Sequence, residues 1–501
     1  MGMIDNMLYG FSVALTLENV MFCLLGTLLG TLAGVLPGLG PLGAMAILLP
    51  ITLKIPAASG LIMLAGVYYG VAYGGSTTSI LASVPGEISS VVTCIDGHEM
   101  AKQGRAGAAL GIAAFGSWIA GTLGIVGLMA FAVPLSNFAL AFGSHEYFAL
   151  IVLGLVFVAS LSQGSVLRGV MMAFVGLILG NVGLDIETTA PRFTFGSLEL
   201  SNGLSIGSLA MGLFGIREVL TGLEEAEADT LVKFKTKMRD LLPTKSDWLQ
   251  SKWAMLRGTA VGFFLGLLPG GGPTLASFIS YGVEKRFAKD PSRFGKGAIE
   301  GVAGPESANN SASSSAFIPL LTLGIPPTAA LAVLYGAFML HGVVPGPLLL
   351  HTNPEIFWGL VCSMYIGNVM LLVLNLPLIP MWVQVLRIPP RIFYPLILIF
   401  CLVGAYSQSN NLFDVYVMLI FGVVGYLFKK FGYEGAPLLL AFVLGTMFDQ
   451  NLRQALLISH GSFVPFFTRP LSACILALAA AILFFSIFSR RKRKLGESLT
   501  S

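Results

Sequence analysis

Residues 26–41 read GTLLGTLAGVLPGLGP, and residues 258–273 read GTAVGFFLGLLPGGGP. Aligned without gaps, nine of the sixteen positions are identical, including the terminal Pro-Gly-x-Gly-Pro. Proline and paired glycines stop a helix, so each segment is expected to break at Leu36 or Leu268. Pro41 and Pro273 then suit the first turn of a new helix, where a missing N–H costs nothing. The new helices, 42–53 and 274–283, point their N-termini at the breaks, and a helix N-terminus carries about half a positive charge and free N–H donors. Two such ends facing each other form a site for an anion with several carboxylates. The preceding half-helices end in free carbonyls at Leu36 and Leu268, which suit Na⁺.

The rest of the chain supplies the setting for these breaks. Of its 501 residues, 55% are apolar and 11% are charged, against about 25% charged in a soluble domain. Too few charges exist to clothe a soluble surface, so lipid is expected to cover much of the exterior. Apolar stretches recur over 57–73, 107–133, 145–160, 164–182, 203–221, 328–350, 356–376, 390–407, 412–430, 436–448 and 471–489. Each is near the ~20 residues that a span requires. The expected fold is an all-α polytopic membrane protein with about 10–14 transmembrane or re-entrant helices in two structural repeats. Inside lipid, a broken helix must be buried in protein or line a wet cavity.

One stretch, GLEEAEADTLVKFKTKMRDLLPTKSDWLQSK (222–252), is too charged for a bilayer and lies near the middle. It divides the chain into a first half, 1–221, a linker, 222–253, a second half, 254–489, and a basic tail, 490–501. Downstream of each motif, ASVPGE (82–87) and TLGIPPT (322–328) occupy comparable places. Paired breaks in two halves are the sequence pointer to a secondary transporter's binding site. Around the second motif stand Lys245, Lys252, Arg257, Lys285, Arg286, Lys289, Arg293 and Lys296, whereas the first has Lys54, Lys102 and Arg105. If basic residues mark the cytoplasm, the motifs enter from opposite faces, as in an inverted repeat. The run Arg490 to Lys494 makes the C-terminus cytoplasmic by the same rule. The N-terminus has no positive n-region, so no removable signal peptide is expected.

Two polar tracts lie between apolar segments, within 74–96 and 301–327, and are expected as hairpins. They offer Gly74, Gly75, Ser76, Thr77 and Thr78 in one, and Glu306, Asn309, Asn310 and the serines to Ser315 in the other. Neutral donors and acceptors bind a carboxylate reversibly, while fixed cations hold it longer. Ionisable residues near apolar stretches are Glu87, Asp96, Arg217, Glu306 and Asp449, and such residues are functional candidates when they lie at membrane depth. Glu306, beside Asn309 and Asn310, is the best candidate for ion coupling.

Catalytic patterns are missing. The sequence holds no GxxxxGK[ST] loop and no GxSxG elbow. His98-Glu99 and His145-Glu146 are followed, at the second ligand position, by Lys102 and Ala149, so a zinc protease site is unsupported. The five cysteines are scattered with no CxxC pair. No enzyme activity and no cofactor are expected, beyond Na⁺ as a coupling ion.

The sequence resembles the large membrane subunit of bacterial tripartite tricarboxylate transporters. The resemblance rests on GVLPGLGPLGAMAILLP (34–50), YGGSTTSILASVPGE (73–87), VVTCIDGHEMAKQGRAGAALGIAAFGSWIAGTLG (91–124), VGLDIETTAPRFTFG (182–196), GLLPGGGPTLASF (266–278) and PESANNSASSSAFIPLLTLGIPP (305–327). It implies a cation-coupled importer of citrate or other di- or tricarboxylates in the bacterial inner membrane. It also implies two partners, a small integral-membrane subunit and a periplasmic solute-binding protein. The substrate-contacting role carries over to Gly38, Gly40, Pro41, Gly74 to Thr78, Gly270, Gly272, Pro273, Asn309 and Asn310. Pro85, Thr274 and Pro326 join them, with Glu306, Asn309, Leu36 and Leu268 as ion-coupling candidates. The SASSS at 311–315 departs from the more Ala- and Gly-rich pattern expected there and leaves the carboxylate open. Two rivals remain at this stage. A membrane enzyme acting on a lipid-linked substrate predicts clustered Asp, His or Arg at one face, and an uncoupled channel or assembly component predicts flux without ion dependence.

Overall fold

The computed structural model describes residues 3–36, 39–161, 165–185, 187–224, 241–268, 272–385 and 390–500. Nearly all of these are helical. In chain order the main helices are α1 (Met3–Ala14), α2 (Leu17–Val35), α3 (Gly40–Thr52), α4 (Ala57–Ala82), α5 (Ala106–Ala139), α6 (Ser144–Leu161), α7 (Val166–Gly180) and α8 (Ile206–Glu224). The second half adds α9 (Lys245–Gly266), α10 (Gly272–Phe287), α11 (Glu300–Ser315), α12 (Phe317–Leu323), α13 (Ala329–Leu340), α14 (Pro354–Val385), α15 (Pro390–Ser409), α16 (Leu412–Lys430), α17 (Gly435–Ile458) and α18 (Pro470–Thr500). Among the described residues the strands are a two-residue antiparallel pair, β1 (Gly183–Leu184) and β2 (Pro191–Arg192). By length and composition, α2, α4, α5, α8, α14 and α16 can cross a membrane. Large apolar side chains such as Phe174, Phe264, Phe400 and Ile420 face outward, which lipid accommodates.

The helices stop where proline and glycine require. α2 ends at Val35 with Leu36 as its C-cap, and α9 ends at Gly266 with Leu267 as its C-cap. α3 and α10 begin at Gly40 and Gly272, each followed by a proline. Both glycines have positive φ, 58° and 46°, a conformation that side chains with a Cβ rarely adopt. Gly38 and Gly270 lie outside the described residues.

Glycine spacing also sets the closest packing. Gly26, Gly30 and Gly34 share one face of α2 and meet the carbonyls of Met63, Val67 and Val71 on α4. A Cβ on Gly30 would stand 2.5 Å from the Val67 oxygen. In the second half, Gly258, Gly262 and Gly266 of α9 meet the carbonyls of Gly304, Ala308 and Ala312 on α11 in the same way. Small residues let membrane helices approach until backbones touch. Both contact series ascend together, so α2 runs parallel to α4 and α9 runs parallel to α11. Beyond α4 the chain continues through short helical turns to Lys102, and there Asp96 meets residues 295–298, which lead into α11. α4 and α11 therefore run in opposite directions, and α2 and α9 start at opposite ends of the bundle.

Several segments differ from the sequence reading. The polar stretches expected as hairpins are helical over 74–82 and through most of 301–323, because their small side chains pack between helices and leave the backbone bonded within its own segment. The hairpin character is confined to the turns that follow. α4 ends at Ser83 with φ 57°, and α12 ends at Gly324 with φ 71°. The Gly324 and Ile325 N–H groups return to the Leu320 and Pro319 carbonyls and close the helix end. α13 stops at Leu340 rather than near 350, with Gly342 at φ 73°, and α17 runs on to Ile458. α1 was not expected at all. α9 begins at Lys245, inside the expected linker, because Thr244 and Asp247 form a reciprocal capping box. Residues 225–240 of that linker lie outside the described residues.

Candidate functional site

The polar tracts of the two halves meet around Glu306. Its side chain is fully buried on α11. One carboxylate oxygen accepts from the Ser76 hydroxyl of α4 at 2.6 Å and from the Asn309 amide at 3.4 Å. The other accepts from the Thr93 hydroxyl. The Asn310 amide donates to the Ser117 hydroxyl of α5 at 2.7 Å and to the Glu306 carbonyl at 3.0 Å. Among the described residues no lysine or arginine pairs with Glu306. Its partners are neutral hydroxyls and amides 213 and 230 residues away for Thr93 and Ser76. A buried carboxylate with only neutral donors keeps a strong attraction for a cation, because no fixed charge cancels its own.

A second carboxylate stands nearby. Glu87 begins the turn Ile88–Ser90, and its side chain accepts from the Ser89 hydroxyl. Ser90 donates to the Glu87 carbonyl at 2.9 Å and receives the Ser79 hydroxyl at 2.9 Å. Gly75 packs closely at this point, since a Cβ would come within 3.1 Å of the Glu87 side chain. The pair Gly75-Ser76 thus separates the two carboxylates.

The other sequence candidates have diverse surroundings. Thr78 donates to the Val35 carbonyl at 2.9 Å and so closes the C-terminal end of α2. Thr77 is buried and reaches back toward the Tyr73 carbonyl at 3.5 Å. Gly74 packs against Thr31 and Val35. Leu36 is nearly buried and its N–H bonds to Leu32, while Leu268 is 41% exposed. Gly272 sits beside Thr328, the N-cap of α13, and the Thr274 carbonyl accepts from Ser277. Pro85 and Pro326 each stand two residues beyond the left-handed residue that ends a helix, Ser83 or Gly324. Gly40, Pro41, Gly272 and Pro273 make no hydrogen bond to the Glu306 cluster among the described residues. In the stretch 311–315, Ser311 donates to Thr259, Ser313 to Asn309 and Ser315 to Ala312, all to backbone carbonyls. Ser311 thus bonds across to α9, while Ser313 and Ser315 bond back within α11.

Several residues escaped the sequence reading. Thr93 and Ser117 lie in apolar surroundings in sequence and carry no local signal. Tyr73 donates to the Asn368 side chain of α14 at 3.0 Å, and Asn368 in turn donates to the Trp118 carbonyl at 2.8 Å. Asp96 is fully buried. One of its oxygens accepts the N–H groups of Gly295, Gly297 and Ala298 at 2.8–2.9 Å, and the other accepts the Tyr281 hydroxyl at 2.9 Å. Asp96 therefore ties the first half to the approach of α11. Asp449 is in α17 and bonds Arg192 and Arg453. Arg217 pairs with Glu218 and covers the Phe214 ring. Among the described residues no group of three His, Cys, Asp or Glu side chains could hold a metal ion.

The chain is similar to known proteins over nearly its whole length. The profile of the tripartite tricarboxylate transporter TctA family matches residues 20–440. The chain is 50% identical over 494 residues to an uncharacterized 52.8 kDa protein from the TAR-I ttuC′ 3′ region of Agrobacterium vitis, covering 99% of this chain and 98% of that protein. It is also 50% identical over 233 residues to an uncharacterized protein from the TAR-II ttuC′ 3′ region of the same organism, covering 46% of this chain and 96% of that protein. No solved structure matches the chain.

Proposed function

From the premise that this chain belongs to the tripartite tricarboxylate transporter TctA family, we propose that it is the large permease subunit of a cation-coupled importer. The substrate is a di- or tricarboxylate such as citrate. A periplasmic solute-binding protein delivers it, and a small integral-membrane subunit completes the complex in the bacterial inner membrane. The breaks after α2 and α9 present the N-termini of α3 and α10 to the substrate carboxylates. The two halves form an inverted repeat, a reading supported by the opposite starting ends of α2 and α9. The C-terminus is cytoplasmic by the positive-inside rule.

The observation that carries the coupling is Glu306. A carboxylate at this depth is costly unless a proton or a cation neutralises it. Its three side-chain donors are neutral, so the neutralising charge comes from the ion that accompanies the substrate. Binding that ion and the anionic substrate in adjacent places lowers the cost of each, which is coupling in the thermodynamic sense.

The test is uptake of labelled citrate into proteoliposomes holding the permease, the small subunit and the binding protein. Glu306→Gln is expected to remove the response to imposed Na⁺ and pH gradients while the complex still assembles. Intact gradient dependence in Glu306→Gln rules out the assigned role. Labelling of cysteines at positions 54 and 285 from the same side of the membrane refutes the inverted arrangement.

A further inference from the structure

A narrow cavity lies between α4, α5 and α14, directly behind the Glu306 cluster. Ser76 and Thr77 of α4, Ser117 of α5 and Asn375 of α14 form its polar wall, and Leu110, Ala113 and Ile379 are among its apolar lining. Two of these polar residues already touch the coupling cluster. Ser76 donates to the Glu306 carboxylate, and Ser117 receives the Asn310 amide. The Ser76 hydroxyl has two acceptors in reach, Glu306 at 2.6 Å and the Ala72 carbonyl at 2.9 Å, but one proton to give. Turning it toward Ala72 frees its lone pairs and the facing Glu306 oxygen together.

The opposite wall holds an unpartnered acceptor. Asn375 is 4% exposed, and its side-chain oxygen has no hydrogen-bond partner among the described residues. Leu376 also lines the cavity, and Pro380, four residues on, has no N–H to offer the Leu376 carbonyl. A buried amide oxygen left without a donor is costly, so Asn375 is set to accept from a water or to coordinate a small cation in the cavity. Tyr73 is the one titratable side chain on the cavity wall, and its hydroxyl is held by Asn368. Glu306 lies behind Ser76, Glu87 stands beyond Gly75, and α5 and α14 contribute no ionisable side chain to the lining.

We propose that this cavity is the access chamber for the coupling ion, a small monovalent cation (Na⁺ or a proton carried by water) that passes from Asn375 over Ser76 and Ser117 to Glu306. The chamber lies toward the start of α5, where Arg105 pairs with Asp247 and Gln103 donates to the Lys296 carbonyl, so it is at the end with the basic flank of the second motif and serves release to the cytoplasm. The inference rests on the coupling role of Glu306.

The test uses the full complex in proteoliposomes and two uptake modes. Gradient-driven uptake needs the ion to leave on each cycle, whereas substrate exchange at equal ion on both sides lets it stay bound. Asn375→Leu, which fills the chamber and removes its acceptor, is expected to slow gradient-driven uptake about tenfold, the order of one lost hydrogen bond to a charged group. Exchange is expected to stay at the wild-type rate. Ala113→Val, a smaller plug from the α5 wall, should act in the same direction if Asn375→Leu fails to assemble. Running Na⁺ and pH gradients separately names the ion, by the arm in which the loss occurs. Wild-type gradient-driven uptake in both variants, or equal losses in both modes, overturns the chamber. Failure of Glu306→Gln to alter gradient dependence overturns the coupling reading itself, so the two failures are distinguishable.

Discussion

Asp96 offers the sharpest test of how the halves are joined. One oxygen of its buried carboxylate takes three backbone N–H groups, from Gly295, Gly297 and Ala298, and the other takes the Tyr281 hydroxyl. Asp96→Ala removes all four bonds. Two of the orphaned amides, Gly297 and Ala298, are in buried positions. Each unsatisfied buried donor costs about 1–3 kcal/mol, so these two amides together cost about 2–6 kcal/mol before relaxation, while the exposed Gly295 amide turns to water. Water entering the vacated space recovers part of this, and a net loss of about 2 kcal/mol is expected. Asp96→Asn keeps an oxygen for the amides and can turn its NH₂ to Tyr281, so its loss should be much smaller. The assay is unfolding of the purified protein in detergent, with amide exchange followed over residues 293–300. Asp96→Ala should lower stability and deprotect those amides, and Asp96→Asn should do little of either. A variant Asp96→Ala with wild-type stability and unchanged exchange at 295–298 refutes the assignment. Equal damage from Asn and Ala shows that the charge, rather than the acceptor geometry, does the work.

Three further outcomes follow from particular contacts. Gly262→Leu drives a side chain into the Ala308 carbonyl and must part α9 from α11; a loss of at least about 1–3 kcal/mol is expected in thermal unfolding, and a neutral result means the helices are less close than described. Arg257 of α9 makes two hydrogen bonds to Glu284 of α10, at 2.9 and 2.5 Å, and the Glu284 side chain is 1% exposed. Arg257→Ala leaves that carboxylate buried and unpaired, at a cost of about 3–5 kcal/mol, and Arg257→Ala with Glu284→Gln should recover much of it in the same unfolding assay. Finally, Arg192 beside Asp185 holds the Asp185 carboxyl down to about 2, below the ordinary 3.8. A lowered value means that the charged form is favoured in the fold, so the clamp on the β1–β2 turn is complete above about pH 4 and is lost as pH falls toward 2. The Glu187 and Thr188 amides, which donate to Asp185, should lose exchange protection over that interval, and a flat profile speaks against the clamp.

The parts that were legible in the sequence are those set by local chemistry. Pro-Gly-x-Gly-Pro ends one helix and starts another wherever it stands, so the ends of α2 and α9 and the starts of α3 and α10 fall within a residue or two of expectation. Composition alone announced lipid as the solvent. The polar tracts misled in one respect. Gly, Ser and Thr disfavour helix in water, yet Gly74–Ala82 and Glu300–Ser315 are helical, because in a buried setting the backbone must bond within its own segment. α1 was missed because Asp5 and Asn6 interrupt a short apolar run.

By itself the sequence determined the helical class, the two breaks and Glu306 as a carboxylate in a polar tract between apolar segments. Only the tertiary structure decided what that carboxylate meets. Its hydroxyl partners Ser76 and Thr93 come from separate elements, and nothing in the sequence pairs either of them with Glu306. Asp96, in sequence one ionisable residue among several near apolar stretches, caps the approach to α11 from about 200 positions away. Helix breaks depend on neighbours in the chain, whereas a polar cluster depends on which faces the glycine seams and the antiparallel α4 and α11 bring together, and that is a property of packing.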